Sequence, residues 1–139
     1  MSGVDLAQWI GEQLDIDAAG VEAATWADDA TTWHAAPSPY DTWGKSERWY
    51  VEDAMEEGVI THVDPKAAQD EGVARHIAEW DPARVLREIE AKRQMVAVCE
   101  RAMDEDSRGM ISMAKEFLLL LALPYEDRPG YAEAVASAE

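Results

Sequence analysis

Hydrophobic positions recur at helical spacing in the first part of the chain. Over residues 5–27 the apolar side chains fall near every third or fourth position, which predicts an amphipathic helix. They are Leu6, Trp9, Ile10, Leu14 and Val21. Asp5 suits the N-terminal cap of this helix, and Glu12, Asp15 and Glu22 fall on the opposite face. We therefore expect a helix with one buried face and one acidic face.

Between residues 31 and 63 the pattern changes to short segments rich in β-branched and aromatic residues. The segments TTWHAA, ERWYVEDA and GVITHV are typical of strands. The loop PSPYDTWGKS joins the first two, and MEEG between the second and third suits a tight hairpin. We expect a three-stranded antiparallel meander, which needs a helix against one face because three strands alone are marginally stable.

Helical spacing returns after the predicted meander. A helix is expected from about 67 or 70 to 80, a second from 82 to about 104, and a last from about 109 to 122. Asp81 and Pro82 suit the cap and the first position of the second helix, because proline lacks an N–H and pre-sets the helical φ angle. These boundaries predict helices separated by short connections.

Together the elements predict a mostly helical α+β protein, with an N-terminal helix and a small sheet followed by two to three helices. A chain of 139 residues has the length of one domain. We expect a single domain over 1–139, divided into a helix at 5–27, a β-meander at 31–63, a helical part at 67–123 and a tail at 124–139. The tail is expected to be a turn followed by a short helical or frayed end.

Acidic residues dominate the charge of the chain, which is −17 at neutral pH. Residues 1–64 hold 14 acids and 2 bases. Such a field repels bare nucleic acid and anionic membranes and favours basic partners. The most apolar run, Phe117 to Leu123, is far shorter than the ~20 residues that a membrane span needs. The acidic N-terminus does not resemble a signal peptide, and we expect a cytoplasmic location.

Residues with catalytic or metal-binding chemistry are few and scattered. The single cysteine, Cys99, falls on the apolar stripe of a helix and is expected in the core, which leaves no intramolecular disulfide and no cysteine-based zinc site. His34, His62 and His76 are the candidate general bases, and they lack the local spacing of metal ligands. We expect no cofactor, no metal and no enzymatic activity.

Aromatic and charged residues suggest two candidate protein-binding segments. Tyr40, Trp43 and Trp49 belong to the loop and the start of the second strand, where exposed aromatic residues would anchor a partner. The alternative is that Trp43 folds back on the sheet. A second candidate is the charged helix face, with the alternative of an ordinary solvated, salt-bridged surface. It carries Arg84, Glu88 and Arg93.

Two segments of the chain resemble a known family. HIAEWDPARVLREIEAKR, at 76–93, and LLLLALPYEDRPGY, at 118–131, resemble an uncharacterised family of small acidic proteins from actinobacteria and their bacteriophages. The N-terminal acidic helix is also similar, whereas residues 31–66 match poorly. The resemblance implies a phage or actinobacterial origin and no particular activity.

The sequence therefore predicts a small, acidic, non-enzymatic accessory protein that binds a host or phage protein, without direct contact to nucleic acid or membrane. One alternative is a nucleic-acid mimic, whose carboxylates would occupy the basic groove of a DNA-binding protein. Another is a self-associating structural protein, because the Met- and Leu-rich helix at 109–122 is more apolar than a thin α+β domain requires. An enzyme using one of the histidines is the third alternative.

Overall fold

The computed structural model describes residues 4–37, 49–63 and 70–138. Two compact units divide the chain. The terminal unit comprises Met1–Ala19 with Glu88–Glu139, and the central unit comprises Gly20–Arg87. The single-domain prediction is not tested by this division and stays a prediction.

Three consecutive strands follow the first helix, and the remaining helices come after the strands, which confirms the predicted α+β class. The elements are, in order, α1 (Val4–Ala23), β1 (Trp33–Pro37), β2 (Trp49–Asp53), β3 (Gly58–Val63), α2 (Asp70–Glu79), α3 (Pro82–Met103), α4 (Arg108–Ala122) and α5 (Tyr131–Ala136). Short 3-10 helices occupy Asp28–Thr31 and Leu123–Tyr125. The first helix ends four residues before the predicted 27, and the 3-10 turn after it was not predicted.

One face of each long helix supplies the buried residues of the terminal unit. On α1 the predicted stripe is confirmed, with Leu6, Ile10 and Leu14 almost wholly excluded from solvent. The buried positions of α3 and α4 in this unit are Ile89, Val96, Cys99, Ala114, Leu118 and Ala122. Because these positions recur at helical spacing, burial follows the hydrophobic pattern of the sequence.

The segment after α4 is held against α1 by polar and aromatic contacts. Arg128 Nη2 lies 2.6 Å from Asp17 Oδ1, and the hydroxyl of Tyr125 donates to Asp17 Oδ2 at 2.9 Å. The ring of Trp9 lies edge-on to that of Tyr125, with their centroids 6.4 Å apart. The C-terminal segment is therefore ordered by contacts distant in sequence, and the helical alternative predicted for it is confirmed by α5.

The central unit contains a three-stranded antiparallel sheet in the order β1-β2-β3, which confirms the predicted meander. Helix α2 packs on this sheet, with Ala74 against Val51 at the centre of the cluster. Asp53 organises the hairpin turn between β2 and β3. Its Oδ1 accepts hydrogen bonds from the backbone N–H groups of Met55 and Glu57 at 2.9 and 3.0 Å.

Asp81 joins the start of α3 to the start of β1. Its Oδ1 accepts the backbone N–H of Arg84 at 2.9 Å, which is the N-terminal cap predicted from the Asp-Pro pair. Its Oδ2 accepts the backbone N–H of Trp33 at 3.0 Å. Asp81 is 8% exposed, so both bonds are shielded from water, and they connect the residue that caps α3 to the first residue of β1.

Candidate functional site

An exposed apolar stripe runs along α3 and α4 within the terminal unit. Its members are large side chains with between 48% and 59% of their surface in solvent. They are Met95, Val98, Met110, Met113, Phe117 and Leu120. We call this surface the α3–α4 apolar face. A groove of about 620 Å³ lies along it, lined by residues of both helices, including Phe117, Leu120 and Val98.

The spacing of the α3–α4 apolar face is that of helices that pair. On α4 the successive members of the face are three, four and three residues apart. On α3, Met95 lies four residues after Ala91, and Val98 lies seven residues after it. These are the a and d positions of a heptad repeat, which place side chains for knobs-into-holes packing against further helices. Helix α4 buries a different stripe, formed by Ala114, Leu118 and Ala122. The second apolar face of this helix is therefore exposed.

The segment that carries this face is electrically neutral. Residues 91–123 contain five basic and five acidic side chains, whereas the whole chain has a net charge of −17. The entire net charge therefore belongs to the rest of the sequence. A surface that contacts this segment therefore meets no net charge within residues 91–123 themselves.

A second concave site lies in the central unit. It is a cleft of about 460 Å³ between the start of β1, the end of α2 and the start of α3. All three arginines that the structure describes in this unit, Arg75, Arg84 and Arg87, line it. Trp33 and Glu79 also contribute to its walls. We call it the arginine cleft.

Tryptophan rings hold two of these guanidinium groups. The guanidinium carbon of Arg84 lies 4.0 Å from the centre of the Trp80 ring, and that of Arg75 lies 5.1 Å from the centre of the Trp49 ring. A cation–π contact of this kind restricts the guanidinium group and leaves the N–H groups at its edge able to donate. Arg84 also donates to Glu79 at 2.8 Å. Arg87 is exposed and forms no ion pair with the residues that the structure describes.

The predicted protein-binding residues do not form one site. Tyr40 and Trp43 lie outside the described residues. Trp49 is half-buried at the start of β2 beneath Arg75, and Arg84 lies in the arginine cleft. Their role in binding stays a prediction.

The other two predicted residues belong to the terminal unit. Glu88 is half-buried on α3, and Arg93 forms an ion pair with Asp15 at 2.9 Å. The charged residues of segment 76–93 are therefore divided between the two units. The arginine cleft was not predicted, because the sequence does not reveal that Arg75 and Trp33 approach the start of α3.

The histidines occupy separate surroundings. His34 Nε2 contacts Glu52 Oε1 at 2.5 Å across the β1–β2 pair, and His76 lies beside Trp80. His62 falls in β3, and its side chain lies outside the described residues. Within the described ranges, no three side chains of the histidine, cysteine or acidic type come together as metal ligands would.

Cys99 forms part of the floor of the groove on the α3–α4 apolar face. It is a free thiol with 5% of its surface exposed, which confirms its predicted burial. Burial and the neighbouring charge of Glu100 raise the pKa of this thiol. The thiolate, which is the reactive form, is therefore disfavoured.

Fold and surface define a small acidic α+β protein with an exposed two-helix apolar face. The chain belongs to a family of unknown function, DUF6221, and the match covers residues 3–135. This confirms the resemblance to an uncharacterised family, while the actinobacterial or phage origin stays a prediction. Searches of curated proteins and of solved structures found no match. In the described parts of the chain, no helix combines the length and apolar character needed to cross a membrane.

Proposed function

We propose that this protein is a non-enzymatic binding protein in which two copies pair through the α3–α4 apolar face. The observation that carries the proposal is the heptad spacing of half-exposed apolar side chains on both helices. A monomer has no evident use for such a stripe, because contiguous exposed apolar surface favours association. A helix pair that meets its own copy about a two-fold axis buries the same stripe twice.

Charge favours a second copy as the occupant of this face. A basic partner would be attracted to the acidic part of the chain rather than to the neutral segment 91–123. A second copy carries the same net charge of −17, but at the contact its neutral segment 91–123 would meet the neutral segment of the first copy. Charges farther from the contact are screened by salt, and the methionine side chains of both copies can adapt to an identical surface.

The size of the face also fits a pair. Six large side chains that are each about half exposed offer on the order of 600 Å² per copy. A stable interface of standard size buries about 800 Å² per partner. The remaining lining of the groove, such as Ala91 and Gln94, can supply the difference.

Analytical ultracentrifugation over a roughly hundredfold range of concentration tests this proposal. The wild-type chain, of 15.4 kDa, should reach twice that mass as concentration rises. Met113→Glu should weaken pairing by ~100-fold or more, because it places an unpaired carboxylate in the apolar contact.

Ser112→Glu is the matched control for this experiment. Ser112 is exposed on the same helix and lies off the apolar stripe, so the same added charge should leave pairing nearly unchanged. A wild-type protein that stays monomeric at the highest concentration contradicts the proposal. Equal weakening by both substitutions would also contradict it, since charge alone would then explain the effect.

A second candidate function is binding to a basic host or phage protein, with nucleic-acid mimicry as its sharper form. The net charge of −17 is the observation that favours it. A cytoplasmic location in a bacterial host belongs to the same proposal. A nuclease-treated pull-down at low and high salt distinguishes nucleic-acid mimicry from other binding to a host or phage protein. A basic nucleic-acid-binding partner that is lost at high salt supports mimicry, and a salt-resistant partner points to a less charged surface.

A further inference from the structure

We propose that the arginine cleft of the central unit binds a small oxyanion of the phosphate class, such as the phosphate groups of a small metabolite. This inference does not depend on pairing of the α3–α4 apolar face, because every residue that lines the cleft belongs to the central unit. It gives the protein a ligand in addition to a protein partner.

Positive charge is concentrated in this cleft against the trend of the chain. The sequence has 12 basic residues against 29 acids, and residues 20–87 alone hold 14 acids. Even so, the three described arginines of the central unit converge on one concave surface. Like charges that share one concave surface repel one another, and a bound anion reduces that repulsion.

The acids in the cleft leave part of this charge uncompensated. Both carboxylate oxygens of Asp81 accept backbone N–H groups, and Glu79 pairs with Arg84. Arg75 pairs with Glu71 at 3.4 Å through an exposed contact, which is a weak interaction. Arg87 forms no ion pair with the described side chains. The guanidinium groups of Arg75 and Arg87 are therefore the most accessible donors for an incoming anion.

The donors are also held in place before a ligand arrives. The guanidinium groups of Arg84 and Arg75 lie over the rings of Trp80 and Trp49, and these cation–π contacts restrict their freedom before a ligand binds. The planar fork of arginine matches the spacing of phosphate oxygens and binds them in pairs. A cation–π contact involves the face of the guanidinium group, so the N–H groups at its edge can still donate to an anion.

The dimensions of the cleft favour a small molecule over a polymer. Its volume of about 460 Å³ falls within the ~300–1,000 Å³ of ordinary small-molecule sites. A long polyanion such as nucleic acid would extend beyond the cleft into the field of a chain with a net charge of −17. A compact phosphorylated molecule can place its charge among the arginines alone.

Isothermal titration calorimetry at low ionic strength tests this inference, with inorganic phosphate, pyrophosphate, citrate and a single-stranded oligonucleotide as probes. Pyrophosphate should bind most tightly, because its two phosphate groups can engage more than one arginine. Arg87→Gln should weaken pyrophosphate binding by ~10-fold or more, since it removes a charge-assisted pair of hydrogen bonds. Arg87 is exposed, so this substitution leaves the core intact.

Arg101→Gln is the matched control, because Arg101 is exposed on the same helix and belongs to the terminal unit. It makes the same change in net charge and should leave pyrophosphate affinity unchanged. Absence of binding to the wild-type protein overturns the inference, as does an equal loss in both variants. Tighter binding of citrate, or of a single-stranded oligonucleotide, overturns the assignment to a small phosphate-class ligand. Failure here would leave the sedimentation results for Met113→Glu unaffected.

Discussion

Gly130 and Trp9 lie in contact although they are separated by most of the chain. A Cβ atom added at Gly130 would lie 2.7 Å from Trp9 Nε1, and the indole N–H donates to the carbonyl oxygen of Pro129 at 3.1 Å. Gly130 also has a φ angle of +89°, in the region that favours glycine. The turn that precedes α5 therefore closes against the first turns of α1 only because this residue has no side chain.

Gly130→Ala should destabilise the terminal unit. The left-handed backbone costs ~1–2 kcal/mol for an L residue, and the contact with Trp9 adds to that cost. We expect a loss of ~2–3 kcal/mol in the free energy of unfolding, measured by urea denaturation. Gly11→Ala is the control, since a Cβ there meets nothing within 4 Å and alanine is the better helix former. A smaller loss for Gly130→Ala than for Gly11→Ala would contradict this account.

Asp53 should make the stability of the protein sensitive to acid. Burial opposes ionisation of this carboxyl, but hydrogen bonds from the backbone of Glu57 and from the Trp26 indole lower its pKa below the ordinary value of 3.8. The depressed pKa means that its contribution is present above pH 3.8 and is lost as pH falls through the folded-state pKa. The melting temperature should therefore decrease as the pH is lowered from 3.8 through the folded-state pKa.

Asp53→Asn provides the corresponding measurement. The variant should melt several degrees lower at neutral pH, because an amide N–H₂ replaces one acceptor, and it should lose part of the acid sensitivity. Glu57→Gln, an exposed substitution in the same hairpin, should change neither property appreciably. If stability depends on acid pH as strongly in Asp53→Asn as in the wild-type protein, groups other than Asp53 cause the acid sensitivity.

Tyr125 should titrate later than an ordinary tyrosine. Burial and the hydrogen bond to the negatively charged Asp17 raise the pKa of Tyr125 to about 12, although Arg128 lowers it in part. Because the folded-state pKa lies above the unfolded value of 10, the stabilisation is complete below pH 10 and is lost as pH rises towards 12. Alkaline conditions should loosen the contact between the C-terminal segment and α1.

A tyrosinate absorbance titration measures this shift. One of the four tyrosines should ionise near pH 12, and Tyr125→Phe should remove that late step. Asp17→Asn should move the step to lower pH, because it removes the negative charge that opposes tyrosinate formation. A late step that survives in Tyr125→Phe belongs to another tyrosine.

Cys99 should react slowly with thiol reagents in the folded protein. It is the single cysteine of the chain, and its burial and raised pKa both reduce the accessible thiolate. An aromatic disulfide reagent at neutral pH should label the native protein at least ~100-fold more slowly than the protein in urea. Comparable rates in the two conditions would show that α3 opens readily around this residue.

Local sequence features predicted the elements that depend on local physics. Asp81 and Pro82 define the start of α3 because a cap acceptor and a pre-set φ act within one helical turn. The excess of apolar residues on α4 predicts a second apolar face, and Met113, Phe117 and Leu120 are indeed exposed. The α3 part of that face was missed, since Met95 and Val98 are next to the buried stripe and the spacing alone does not show which stripe is covered.

Contacts between distant residues could not be derived in the same way. Arg128 and Asp17 are 111 positions apart, and the sequence around either residue does not predict that the two form an ion pair. The arginine cleft depends similarly on the packing of α2 against the sheet, which brings Arg75 towards the start of α3. Arg84 was named from its charge pattern, but its position in a cleft follows only from the fold.

The double role of Asp81 has a consequence for the order of events during folding. Its bond to Arg84 closes a single turn and can form as soon as α3 nucleates, whereas its bond to Trp33 closes a chain of 48 residues. The second bond should therefore form after the rate-limiting step. Asp81→Ser keeps a capping oxygen and gives up the bond to the strand, so it should accelerate unfolding while leaving the refolding rate nearly unchanged. The edge strand would then be the first part of the sheet to open when the protein unfolds.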